Sequence, residues 1–90
     1  MADKTLNEIK RGEQAEKILN NEVYKEAFST VKSNIINAMN VSALSDERTH
    51  NRLVIALQTL NQIEKSLADV MQTGKMAKLQ VEDRRFKVFG

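Results

Sequence analysis

Apolar residues recur along the chain at steps of three and four, the repeat of one helix face, and never alternate at a step of two for long. The first stripe is incomplete: Leu6, Ile9, Ala15, Ile18 and Leu19. Thr5-Leu6-Asn7-Glu8 has the form of a capping box, in which threonine and glutamate answer each other's exposed amide hydrogens, so a helix is expected over about 5–19. Gly12 weakens its middle by about 1 kcal/mol relative to alanine. Asn20-Asn21 offers a left-handed stop and a fresh N-cap.

A fuller stripe follows: Tyr24, Ala27, Phe28, Val31, Ile35, Ala38 and Met39, with Tyr24 and Phe28 an i,i+4 aromatic pair. This predicts a helix over 22–40, with the turn from Asn40 to Ser45. Ser45-Asp46-Glu47 then supplies a serine cap and two acidic groups where the helix dipole favours them. From there Leu53, Leu60 and Leu67 are spaced by seven, as are Ala56, Ile63 and Val70, with Leu57 and Met71 widening the stripe. Nothing interrupts this pattern before Gly74, which is expected to end the helix in a left-handed conformation. The third helix is thus placed at 46–73, roughly 42 Å long at 1.5 Å per residue.

Beyond Gly74 the character changes. Phe86 and Val88 are two apart among basic neighbours, which suits an extended arm over 84–90 more than a helix. The expected fold is all-α: an antiparallel hairpin of the second and third helices, a shorter N-terminal helix, and an extended C-terminal tail after a helical domain of residues 1–83. Leu60, central in the stripe, is expected to be fully buried. The third helix outreaches the second, so part of its stripe needs another cover. That makes Leu53, Ala56, Leu57, Leu60, Ile63, Leu67, Val70 and Met71 either an intramolecular core or the seam of a homo-oligomer.

Composition narrows the chemistry. Ninety residues with no cysteine, no proline and three glycines allow one small helical domain without disulfides or thiolate zinc sites. The N-terminus lacks the apolar core of a signal peptide, and the longest apolar run, Leu53 to Leu57, is far too short to span a membrane. His50 is the only histidine, Gly12, Gly74 and Gly90 stand alone, and the carboxylates lie beside lysines and arginines. No catalytic constellation, cofactor site, metal site or small-molecule site follows from these residues. His50 could meet Asp46 and Arg48 locally, as any polar first helical turn would allow.

The net charge of +2 is concentrated at the C-terminus, where residues 75–90 hold five basic and two acidic groups. Lys75, Lys78, Arg84, Arg85 and Lys87, interleaved with Phe86 and Phe89, are candidate nucleic-acid contacts, since basic groups neutralise phosphates and rings stack on bases. The competing expectation is an arm that buries Phe86, Val88 and Phe89 on a neighbouring subunit or partner.

The stretch from Arg11 to Asn21, followed by Tyr24 to Phe28, and the stretch from Val70 to Ala77 resemble small helical accessory proteins of tailed bacteriophages. That group has no assigned activity, so the resemblance implies a viral setting, in the virion or the host cytoplasm, and no functional residues. With the heptads, it leads to the expectation of a non-enzymatic structural or DNA-packaging protein that self-assembles with its own copies and other phage proteins. An inhibitor of a host defence or regulatory protein, and a DNA-binding protein using the basic tail, are the alternatives.

Overall fold

The computed structural model describes the backbone of residues 2–89 and the side chains of residues 3–84. Three helices account for nearly all of it: α1 (Ala2–Asn20), α2 (Glu22–Val41) and α3 (Glu47–Phe89), with no strand among the described residues. The fold is all-α, as the periodicity predicts.

The helix boundaries have local causes. α1 begins at Ala2 with Asp3 in its first turn, so Thr5 and Glu8 lie inside the helix and do not cap it. Nothing in Ala2-Asp3-Lys4 opposes helix, and an early acidic group favours it. A single extended residue, Asn21, separates α1 from α2; its side chain accepts the Tyr24 amide at 2.9 Å, the N-cap expected of it. Neither asparagine takes the left-handed stop, because no described residue has a positive φ. Tyr24 and Phe28 pack as expected, with ring centroids 5.9 Å apart. The cap of α3 is Asp46 and not Ser45, since the Asp46 carboxylate accepts from both the backbone amide and the hydroxyl of Thr49.

The largest departure is at Gly74, where α3 continues without a break and runs 43 residues to Phe89. Glycine costs a helix about 1 kcal/mol but does not forbid it. Once a helix is nucleated, each further residue adds a hydrogen bond, and no proline follows to stop it. The expected extended arm from Arg84 is therefore helical to Phe89, while Gly90 and the side chains of residues 85–89 lie outside the described residues.

The chain divides into two compact units. One comprises the residues up to Leu19 with those from Ser66 onward; the other is Asn20–Lys65. In the second unit, Tyr24, Phe28, Ile35, Ala38 and Met39 of α2, and Leu53, Ala56, Leu57 and Leu60 of α3, are half-buried. Leu60 is thus only partly covered, where full burial is expected from the heptads. Two helices shield each other on one side only, and no large side chain among the described residues is fully buried.

In the first unit, α1 meets the second half of α3 backbone to backbone. A Cβ added to Gly12 would stand 2.7 Å from the Gly74 Cα, and one added to Gly74 would stand 2.7 Å from the Gly12 Cα and 2.8 Å from the Glu8 carbonyl oxygen. Ala15 and Ala77, one turn further along each helix, are the two buried hydrophobic residues, each 3% exposed. Gly74 and Ala77 are the next members of the two heptad series of α3, after Leu67 and Val70. α3 therefore keeps its seam past residue 73 and changes only the size of the side chains on it. The glycines serve close approach and not a turn.

Gly74→Ala and Gly12→Ala should each destabilise the protein. Alanine returns about 1 kcal/mol of helix propensity, but forcing a methyl group into backbone contact costs roughly 1–3 kcal/mol. Because the obstacle is backbone and cannot swing aside, a net loss of about 1–2 kcal/mol is expected in urea unfolding followed by circular dichroism. A gain in stability would show that the two helices do not touch.

Candidate functional site

The most chemically suggestive group of side chains surrounds the loop between α2 and α3. His50 Nε2 lies 3.0 Å from Ser42 Oγ and 3.2 Å from the Ala43 carbonyl oxygen. A serine within reach of a histidine invites comparison with a nucleophile and its base. The Ser42 hydroxyl donates its proton to the Met39 carbonyl at 3.1 Å, whereas a base would have to accept from the serine. The Ala43 carbonyl can only accept, so it bonds Nε2 in the tautomer that carries the hydrogen there. The Asp46 carboxylate accepts from the amide and the hydroxyl of Thr49.

The cluster instead fastens the loop. Ser42 N–H donates to Ala38, Asp46 N–H donates to Ala43, and His50 N–H donates to Asp46, so both helix ends are tied through the same few residues. Sequence reasoning found His50 and Asp46 but missed Ser42, whose approach depends on how the loop closes. The Asp46 carboxyl is held below its ordinary value of 3.8, first by the Thr49 hydroxyl and then by the Thr49 amide, with desolvation opposing. A depressed carboxyl stabilises the fold above its ordinary pKa, and this contribution disappears as pH falls through the folded value.

Two hollows among the described residues of the first unit are small. One of about 120 Å³ lies over the glycine crossing, beside Glu16 and Lys75. The other, about 250 Å³, is lined by Glu8, Arg11, Asp69, Val70 and Thr73. Ligand sites usually measure roughly 300–1,000 Å³. Among the described residues no three His, Asp or Glu side chains gather as metal ligands, and no helix is long and apolar enough to cross a membrane.

The seam residues divide. Leu53, Ala56, Leu57, Leu60, Leu67 and Met71 are half-buried, whereas Ile63 is 51% and Val70 37% exposed. The basic residues are carried on a helix and not on an arm. Lys75 lies 4.0 Å from Glu16, a largely solvated pair that contributes little. Lys78 and Arg84 are exposed. At 100° per residue, Glu82 falls between Lys75 and Lys78 around the axis, while Arg84 lies well away from both. Among the described residues the helix therefore separates Arg84 from Lys75 and Lys78. The expected docking of Phe86, Val88 and Phe89, and the side chains of Arg85 and Lys87, fall outside the described residues.

The signal that sequence reasoning overlooked is a repeated spacing: Gly12 and Ala15 on α1, Gly74 and Ala77 on α3. Each glycine precedes an alanine by three residues, which puts two small side chains on one face of each helix and lets the backbones approach. Comparison with known proteins finds no matching family model, no matching curated protein and no matching solved structure.

Two outcomes follow from the loop. A fluorophosphonate probe should leave Ser42 unmodified; labelling that His50→Ala abolishes would make His50 a base after all. Asp46→Ala should lower the midpoint of thermal unfolding at pH 7, Asp46→Asn should lower it less because asparagine also caps, and the difference between wild type and Asp46→Ala should shrink below about pH 4.

Proposed function

We propose that this chain is a non-enzymatic helical assembly protein whose working form contains more than one copy. What supports the proposal most is surface. Among the described residues no large side chain is fully buried, and thirteen large hydrophobic residues are exposed. Much of the exposed surface is aliphatic, including Val23 at 72%, Val41 at 85% and Leu44 at 94%.

In this proposal α2 and the first half of α3 run antiparallel as a hairpin, and self-association covers what two helices leave open. A structural or DNA-packaging role in a tailed phage is the setting that the sequence resemblance suggests, with the virion or host cytoplasm as the place of action. The mixed charge around α3 gives less support to a DNA-binding role carried by the basic residues.

Sedimentation equilibrium or light scattering tests the proposal. The expected mass is a multiple of 10.2 kDa at micromolar concentration. A species of single-chain mass at all concentrations would overturn self-assembly. If that single chain captured a host regulatory protein, the inhibitor role would take its place.

A further inference from the structure

The contacts that hold α1 belong to the unit it forms with the residues from Ser66 onward. They are slight. Ala15 is its buried hydrophobic residue, Leu6 and Ile18 are 53% and 43% exposed, and the Glu16–Lys75 pair is largely solvated. The rest is the backbone approach of Gly12 to Gly74. Such a contact fades within an ångström of separation, because dispersion falls steeply with distance and no side chain bridges the gap.

α2 does not depend on α1 for its start. The Asn21 side chain accepts the Tyr24 amide and the Asn21 carbonyl accepts the Lys25 amide, so Asn21 itself closes the first turn. Asn21 is also the single extended residue between the two helices. Rotation there lets α1 leave α3 with α2 undisturbed. Neither partner in the first unit is a strong helix alone. α1 has 19 residues with Gly12 inside it, and the second half of α3 carries Gly74. Helices of this kind owe their order in water mainly to packing.

We propose that α1 is a strap that opens on the folded protein: α1 and the second half of α3 lose their order together, while Asn20–Lys65 stays folded. The continuous helix α3 then holds two cooperative stretches that meet near residue 66 without a break in the backbone. Opening uncovers Met71, Gly74 and Ala77, so the strap governs access to that part of the α3 seam. The strap works in a single chain and does not require self-assembly.

Native-state hydrogen exchange of the full chain, followed residue by residue at one protein concentration, tests this. The slowest amides of α1 and of residues 66–84 should share one protection factor, about tenfold or more below that of Asn20–Lys65. Gly12→Ala should speed exchange in both parts of the first unit by about 5- to 30-fold and leave Asn20–Lys65 unchanged. Asp46→Ala, in the second unit, should leave the first unit as it was. Simple fraying of the N-terminus gives a different result: protection rises steadily inward from residue 2, and residues 66–84 are as protected as 47–65. That gradient, equal acceleration of both units by either variant, or no acceleration anywhere by Gly12→Ala would overturn the strap.

Discussion

Two helix backbones can touch only where neither carries a side chain at the crossing, and in this protein that condition is met once among the described residues, at Gly12 and Gly74. The glycine hydrogens occupy the directions that methyl groups would take, toward the facing Cα atoms and the Glu8 carbonyl. Such contacts contribute weak C–H···O attraction and many close van der Waals pairs. Ala15 and Ala77 complete the approach one turn away. The helix pays about 1 kcal/mol at each glycine, and the close packing offsets it. The contact lies on the continuation of the two heptad series of α3, at Gly74 and Ala77, where small residues let the backbones close in.

Pairing helices in this way limits what the fold can bury. A helix covered along one stripe hides only that stripe, so the leucines of α3 stay half-exposed and the buried core among the described residues is no larger than two alanines. A protein in this condition is stabilised further by anything that covers its apolar sides, since burial stabilises at about 25 cal/mol per Å². Self-association is the simplest such cover, being always present at the protein's own concentration.

The polar chemistry serves structure in the same way. Ser42, His50, Asp46 and Thr49 could pass for catalytic residues on identity alone. Their hydrogen bonds close the helix ends and the loop, the Ser42 hydroxyl donating to the Met39 carbonyl and the Asp46 carboxylate accepting from Thr49. Exposure of Leu44 at the tip of this fastened loop adds one more apolar group to the uncovered surface.

The all-helical class, the break at Asn21 and the span of α2 were legible in the sequence, because each depends on neighbours three or four residues apart: a cap, an aromatic pair, an apolar stripe. The role of Gly74 was not. Locally, a glycine after a long amphipathic stretch suits a stop, and only the arrival of Gly12 from α1 makes continuation worth its cost. The extended tail failed for a related reason: Phe86 and Val88 suggest alternation over three residues, too few to outweigh a helix already running. Ser42 joined His50 only once the loop was closed, and Leu60 proved half-buried because burial counts every neighbour and two helices shield each other on one side only. Periodicity by itself determined which faces of the helices are apolar; the tertiary structure decided which of them are covered, since covering requires atoms from segments distant in sequence to occupy the same space.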